Sequence, residues 1–207
     1  MRTGHSLILG LALATVANMA LAENAGDANK QGGARIAITT CANCHGPHGN
    51  SISSKFPNLA GQRANYLEAQ LKAFRSQSRG DPDALAYMWG MAAPLNDTTI
   101  HGVAEYYASQ KPAPGKPGAP QAVAKGQDIY MNGVVARGIP ACGSCHGPKA
   151  EGVGDFPRLA GQQSAYLEKQ LRSFQSELRD MPTMHAVTEH LQPEEMNAVA
   201  AYLQSLE

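Results

Sequence analysis

The sequence predicts an all-α fold that is built twice along the chain. Apolar residues recur at the three- and four-residue spacing of amphipathic helices, and no segment shows the two-residue alternation of a strand. The same ordered motifs also occur in both halves, 100 or 101 residues apart. Such self-similarity indicates that one small unit was duplicated, each copy with its own core. We therefore expect two tandem helical domains related by internal duplication.

Residues 1–22 have the three-part pattern of a secretory signal peptide. A short basic start precedes an apolar run, Leu7 to Ala17, and small residues follow at Ala20 and Ala22. The alternative is an uncleaved membrane anchor, but the run is well short of the ~20 apolar residues that span a bilayer. We predict cleavage after Ala22 and export to the periplasm.

The balance of charges limits which classes of partner the protein can bind. The chain has 17 Lys and Arg residues and 17 Asp and Glu residues, so its formal net charge is zero. Nucleic acids and anionic membranes both select clustered basic residues. Neither is expected to be the main partner.

A proline- and glycine-rich segment separates the two copies. Lys111–Pro120 contains four prolines and two glycines, a composition that excludes helix and inner strand. Segments of this kind are semi-rigid extended spacers. We assign 112–120 to the linker, 23–111 to the N-terminal domain and 121–207 to the C-terminal domain.

Four segments carry the clearest helical stripes. Tyr66–Phe74 places apolar side chains on one face and recurs as Tyr166–Phe174. The stripe Met196–Leu203 follows Pro193, a residue suited to the first turn of a helix. The stripe Ile100–Tyr107 is its counterpart in the first copy.

All four cysteines fall in two C-x-x-C-H motifs. The motifs are Cys41-Ala-Asn-Cys44-His45 and Cys142-Gly-Ser-Cys145-His146. Positions i and i+3 share one helix face, so two sulfurs reach two vinyl groups on one porphyrin edge. The motif is the signature of covalent haem attachment. We predict two covalently bound c-type haems, with thioether bonds and proximal iron ligands at these residues: Cys41, Cys44, Cys142 and Cys145 for the thioethers, His45 and His146 for the iron.

Two other readings of paired cysteines fit less well. Zinc sites also use C-x-x-C pairs, but their pairs usually lie much closer in sequence than 101 residues. Zinc also gives no reason for a histidine directly after each pair. A thioredoxin-like dithiol requires a βαβ context, which the helical pattern does not provide.

The second axial ligand separates electron transfer from catalysis. A histidine–methionine pair closes the iron and raises its potential, whereas an open side suits peroxide or oxygen chemistry. When the repeats are aligned, Met88 matches Met184, each seven residues before a leucine. Met91 and Met181 face non-methionine residues and remain alternatives. We favour Met88 and Met184 as distal ligands.

Pro57 and Pro157 recur in the turn after the haem motif. A backbone carbonyl at this point can accept the N–H of the proximal imidazole and set its basicity.

These motifs together resemble the dihaem cytochrome c4 family. Each C-x-x-C-H-G unit is followed by F-P-x-L-A-G-Q, a Y-L-x-x-Q-L helix and a late methionine, and the likeness covers essentially the whole exported chain. The resemblance implies two tandem cytochrome c-like domains related by a pseudo-twofold axis, with facing haems. It also implies the same histidine and methionine ligands, and the carbonyls of Pro57 and Pro157 holding the histidines. One departure is the segment 80–87, which is longer than its counterpart in the second copy.

The sequence thus predicts an electron carrier rather than an enzyme. The resemblance implies a periplasmic protein, sometimes membrane-associated, whose redox partners include a membrane-bound oxidase or reductase. One rival is the cytochrome subunit of a sulfide- or thiosulfate-oxidising complex. A second rival is a dihaem peroxidase, which would need one haem able to open to peroxide.

Overall fold

The computed structural model describes residues 31–207, and the predicted signal peptide lies outside the described residues. Its first half contains α1 over residues 31–36, a π-helical turn, the short helix α2, the long helix α3, a second π-helical turn, the short helix α4 and the long helix α5. After α1 the bounds are Ala37–Cys41, Ala42–His45, Ala64–Arg75, Ala84–Met88, Trp89–Ala92 and Asp97–Ala108. A 3-10 turn at Pro47–Gly49 follows α2.

The second half repeats this order with small changes. Its helices α6 to α10 span Pro120–Asn132, Gly143–His146, Ser164–Gln175, Pro182–Thr188 and Pro193–Ser205. Residues 31–207 contain no strand, only one isolated bridge between Val134 and Ile139. The prediction of an all-α fold is therefore confirmed.

In each half the first helix crosses the last one at backbone contact. A Cβ on Gly33 of α1 would lie 2.4 Å from the carbonyl carbon of Gly102 on α5. A Cβ on Gly126 of α6 would lie 2.0 Å from the carbonyl oxygen of Ala198 on α10. Each crossing therefore requires glycine, because any side chain would push the two helices apart.

The predicted helical stripes form the two cores. Leu67, Val103 and Tyr107 are buried in the first half. The second half buries a larger cluster that includes Tyr130 and Met196, both fully inaccessible to solvent. Each half therefore has its own apolar core, as expected for a duplicated unit.

The segment between the halves packs against both of them. Lys116 donates its backbone N–H to Gln204 O at 2.9 Å. Pro112 lies against Gly61, where a Cβ would meet its ring at 2.3 Å. The segment is non-helical up to residue 119, and Pro120 is already the first residue of α6, since its missing N–H is tolerated in a first turn.

Two glutamines join the halves by matching hydrogen bonds. Gln62 Oε1 accepts the N–H of Arg158 at 2.9 Å, and its Nε2 donates to Arg158 O at 2.8 Å. Gln162 makes the same two bonds with Asn58: its Oε1 accepts the N–H of Asn58 and its Nε2 donates to Asn58 O, both at 2.8 Å. The halves are therefore related across the interface as the pseudo-twofold axis requires.

Candidate functional site

Each C-x-x-C-H motif is folded as a short helical turn. Cys41 ends the π-helical turn Ala37–Cys41 and directly precedes α2, and Cys142 directly precedes α7. All four thiols are free, with Cys44 and Cys145 exposed and the first cysteine of each pair partly buried. Both sulfurs of a pair therefore lie on one turn, at the edge of a cleft.

The histidine that follows each motif is buried and oriented by a hydrogen bond. His45 Nδ1 lies 3.0 Å from Pro57 O, and His146 Nδ1 lies 3.1 Å from Pro157 O. Since a carbonyl only accepts, each Nδ1 carries the proton and each Nε2 keeps its lone pair. Burial lowers the pKa of both imidazoles, against the opposing effect of the carbonyl hydrogen bond. Both are held as the neutral form that binds a metal ion.

Two large clefts open beside these turns. The N-terminal cleft is lined by Cys41, Cys44, His45 and Met88 and has a volume of about 1270 Å³, including the part open to solvent. The C-terminal cleft is lined by Cys142, Cys145, His146 and Met184 and has a volume of about 1730 Å³ on the same basis. The structure therefore brings together, in one cleft per half, all the residues that the sequence singled out.

The methionines differ in burial within these clefts. Met88 and Met184 are half-buried, whereas Met91 is 43% exposed and Met181 is 42% exposed. All four line a cleft. Met88 ends the π-helical turn Ala84–Met88, a type of distortion that is frequent at functional sites. Burial therefore favours the pair that the repeat alignment also favours.

The two clefts fit a haem each. Their walls are largely apolar, as a porphyrin requires, and each offers two thiols, one neutral imidazole and one thioether. At the wall of the N-terminal cleft, Arg158 Nε is buried and has no hydrogen-bond partner among the described residues. An orphaned cation is the group that the carboxylates of a haem would satisfy.

A buried polar network between the clefts was not predicted from the sequence. Arg79 donates to Gln70 Oε1 at 2.8 Å and to Gln170 Oε1 at 2.9 Å. Arg179 donates to the same two oxygens at 2.8 and 2.7 Å. Trp89 Nε1 donates to the carbonyl of Arg79 at 2.8 Å and so ties the network to the neighbour of Met88.

One signal could have revealed this network. Tyr66, Gln70 and Arg79 recur at a spacing of 100 residues as Tyr166, Gln170 and Arg179. The helical periodicity predicts that Gln70 packs through the apolar stem of its side chain. In the structure, its amide oxygen accepts hydrogen bonds from Arg79 and Arg179. Polar residues repeated on an otherwise apolar face are therefore candidates for the surface between two copies.

The comparison with family models matches both halves. The model for cytochrome c matches residues 31–111 and again residues 123–207.

Several curated relatives resemble most or all of the chain. Cytochrome c-552 of Acidithiobacillus ferridurans is 38% identical, covering 100% of this chain and 90% of that protein. Cytochrome c4 of Azotobacter vinelandii is 36% identical, covering 94% and 96%. A protein of Thiomonas intermedia named thiosulfate dehydrogenase electron acceptor is 38% identical over 79% of this chain and 77% of its own length.

Solved structures give the same result. The cytochrome c4 of Acidithiobacillus ferrooxidans has a TM-score of 0.77 and 39% identity, covering 80% of this chain and 98% of that one. The reduced cytochrome c4 of Pseudomonas stutzeri has a TM-score of 0.76 and 33% identity, covering 86% and 97%. A thiosulfate dehydrogenase of Marichromatium purpuratum has a TM-score of 0.77 and 31% identity, covering 86% of this chain and 40% of that one.

Both halves match one family, and relatives that are matched over nearly their whole length cover 86% or more of this chain. The clefts are duplicated as well, since each is lined by two cysteines, a histidine and a methionine. This chain belongs to the cytochrome c family as a dihaem electron carrier of the cytochrome c4 kind, with two covalently bound c-type haems.

Proposed function

We propose that this protein is a periplasmic electron shuttle that delivers electrons to a membrane-bound terminal oxidase and catalyses no reaction of its own. The observation that carries the proposal is the equivalence of the two clefts. Each collects two cysteines, a buried histidine and a half-buried methionine. A peroxidase would need one cleft in which the distal side is open, whereas each cleft here is lined by a half-buried methionine.

The proposal assigns a role to each residue of the clefts. The thioether bonds form at Cys41, Cys44, Cys142 and Cys145. His45 and His146 supply the proximal ligands through Nε2, because Nδ1 is occupied by a proline carbonyl. Met88 and Met184 supply the distal ligands, which their burial supports over the two exposed methionines.

The bound haems supply one-electron exchange between ferrous and ferric iron. The chain fixes the orientation of the two imidazoles. The Phe56 ring packs edge-to-face against His45 at a centroid distance of 6.0 Å, and the Phe156 ring packs against His146 in the same way at 5.8 Å. Apolar walls exclude water and so limit the reorganisation that accompanies a change of charge. The chain moves no proton and transfers no atom in this role.

The clefts share a wall, which supports electron exchange between them. Six residues line both clefts: Tyr66, Gln70, Pro157, Leu159, Tyr166 and Leu167. These residues therefore form a wall that is common to the two sites. An electron that enters at one haem can reach the other without leaving the protein.

The location, domain limits and partners belong to the same proposal. Residues 1–22 direct export, 23–111 and 121–207 are the two domains, and 112–120 connects them. Among residues 31–207, no helix has the length and apolar character needed to cross a membrane. The partners are redox proteins, with peripheral contact to the membrane where the oxidase lies.

A second candidate has a specific observation in its favour. A relative is named as the electron acceptor of thiosulfate dehydrogenase, and one structural neighbour is itself a thiosulfate dehydrogenase. In that case this chain would accept electrons from a separate catalytic protein. The carrier role is common to both candidates, and only the electron donor differs.

The experiment that tests the carrier role uses the oxidised holoprotein. Its mass after acid–acetone extraction should retain two haems, because thioether bonds survive the treatment. Azide should bind slowly and weakly, and hydrogen peroxide should not be turned over. Rapid azide binding at one haem or peroxide turnover would contradict the shuttle. Reduction by a purified thiosulfate dehydrogenase, compared with oxidation by oxidase-containing membranes, then distinguishes the two pathways.

A further inference from the structure

Asn58 and Arg158 occupy equivalent positions in the two halves, and a glutamine of the opposite half binds the backbone of each. The backbone N–H and carbonyl of Arg158 are bound by Gln62, and those of Asn58 are bound by Gln162. All four bonds measure 2.8 or 2.9 Å. The backbone at this point is therefore symmetric, so any difference between the halves comes from the side chains.

The two side chains have different environments. The side chain of Asn58 is buried, and both ends of its amide have hydrogen-bond partners. Its Oδ1 accepts from Ser51 N at 2.9 Å, and its Nδ2 donates to Gly161 O at 2.9 Å. Arg158 extends across the interface and lines the N-terminal cleft, whereas it does not line the cleft of its own half. Arg158 of the C-terminal half thus lines the site of the other half, whereas Asn58 does not line the C-terminal cleft.

One nitrogen of the Arg158 guanidinium lacks a partner among the described residues. Its Nε is buried without a hydrogen-bond acceptor among residues 31–207. A buried donor left unsatisfied loses its hydration without compensation, and the loss is larger when the donor is charged. Burial lowers the pKa of Arg158, and the charge of Glu151 opposes this only in part. A cation in this state indicates a site for an anion.

The other arginines near the clefts are already engaged. Arg79 donates Nε to Asp81 Oδ2 at 2.8 Å and its remaining nitrogens to side chains of the interface. Arg179 donates to Gln70, Gln170 and Tyr66. Arg158 is therefore the arginine at the wall of the N-terminal cleft whose Nε remains for an additional acceptor.

We propose that Arg158 of the C-terminal domain is a positioning residue for the haem of the N-terminal domain, whose propionate carboxylate it pairs with. The inference rests on the proposed haem sites. The propionates are the acidic groups of haem, and a planar guanidinium matches a carboxylate in geometry and charge. The C-terminal haem has no equivalent cross-domain cation, because position 58 is an asparagine that is bound elsewhere.

The pairing has a consequence for electron distribution. A negative propionate stabilises ferric iron, and an adjacent cation offsets that effect. Arg158 should therefore raise the potential of the N-terminal haem and leave the C-terminal haem nearly unaffected. It would set how a single electron divides between the two haems.

The test is redox titration of the holoprotein carrying Arg158→Gln, with Arg63→Gln as the matched control. Arg63 also crosses the interface, but it donates to the carbonyl of Gly154 at 2.6 Å and lines neither cleft. The N-terminal haem is identified in a Met88→His background by loss of its thioether-to-iron charge-transfer band. We expect Arg158→Gln to shift the electron partition away from the N-terminal haem by about tenfold, which is about 59 mV for one electron. Arg63→Gln should shift it much less.

Other outcomes separate the inference from the function. Equal potentials in Arg158→Gln and Arg63→Gln, or a larger shift at the C-terminal haem, would overturn the role of Arg158 while both haems keep their spectra. If Arg158→Gln yields no holoprotein, Arg158→Lys keeps the charge but loses the Nε donor. It should then shift the partition in the same direction by a smaller factor, and an unchanged partition in that variant would overturn the proposal. Loss of covalent haem in the unmodified protein would instead contradict the function.

Discussion

Asp81 accepts a hydrogen bond from Arg79 Nε at 2.8 Å at the centre of the interface, where both residues are buried. The second copy has no matching ion pair, because the residue two positions after Arg179 is Met181. Gln170 Nε2 also donates to Asp81 at 3.2 Å, so a carboxylate of one half is bound by an amide of the other. The buried carboxylate of Asp81 therefore has no counterpart in the second copy.

This ion pair makes stability depend on pH. Burial acts to raise the pKa of Asp81, but the charge and N–H of Arg79, with help from Gln170, lower it below the ordinary 3.8. Because the pKa is depressed in the folded state, its stabilising contribution is complete above about pH 5 and is lost as the pH falls below that value. Thermal unfolding from pH 3 to 7 should show a difference between wild type and Asp81→Asn that is constant near neutrality and shrinks in acid.

The loss of stability in Asp81→Asn can be compared with the loss in a matched control, Asp83→Asn. Removing one partner of a buried ion pair costs up to about 3–5 kcal/mol, and asparagine retains one acceptor, so the loss for Asp81→Asn should lie below this limit. Asp83 pairs with Lys169 across the same interface, but on its more exposed side. Asp83→Asn should cost at most about 1 kcal/mol. Equal losses for the two variants would contradict the central role of Asp81.

The distal ligands can be tested haem by haem. Met88→Ala should lower the potential of the N-terminal haem alone and admit azide or carbon monoxide there, because a neutral thioether favours ferrous iron and fills the sixth position. Met184→Ala should do the same for the C-terminal haem. Met91→Ala and Met181→Ala are the controls, and both spectra should stay nearly unchanged. If Met91→Ala opens the N-terminal haem instead, the alignment of the repeats is wrong while the carrier role survives.

The glutamine that binds Asn58 should stabilise the interface. Gln162→Ala removes three hydrogen bonds, two with Asn58 and one from the N–H of Gln163, and leaves a buried N–H and a buried carbonyl of Asn58 without partners. Each unsatisfied group costs on the order of 1–3 kcal/mol. Gln127 is exposed on α6, and Gln127→Ala should change the free energy of unfolding by less than about 0.5 kcal/mol. Denaturant titration of both variants measures the difference, and similar midpoints would contradict the proposed contribution.

The helix crossing in the second half should tolerate no side chain. Gly126→Ala places a Cβ 2.0 Å from Ala198 O, so α6 and α10 must separate, at a cost of about 1–3 kcal/mol or more. Gly90 lies in α4 and a Cβ there meets nothing within 4 Å. Gly90→Ala should instead stabilise by about 0.4–1 kcal/mol, because alanine restricts the unfolded chain. Melting temperatures that move in the same direction for both variants would contradict this reading of the crossing.

The sequence by itself determined what depends on short spacing. The three-residue separation within each C-x-x-C pair, the histidine that follows it and the stripes at Tyr66–Phe74 and Met196–Leu203 all act within one or two helical turns. The 100-residue repeat then implied two copies of one unit. Such patterns are local, so they can be recognised without knowing how distant segments pack.

The tertiary structure alone decided how the copies complete each other. Gln70 has the spacing of a core residue, yet its amide binds arginines from both halves. Arg158 and Asn58 occupy equivalent positions, and only the packing of the halves directs one into the opposite cleft and holds the other at Gly161. Periodicity specifies which face of a helix is buried but not which partner covers it. The contacts between the halves could therefore be identified only from the tertiary structure.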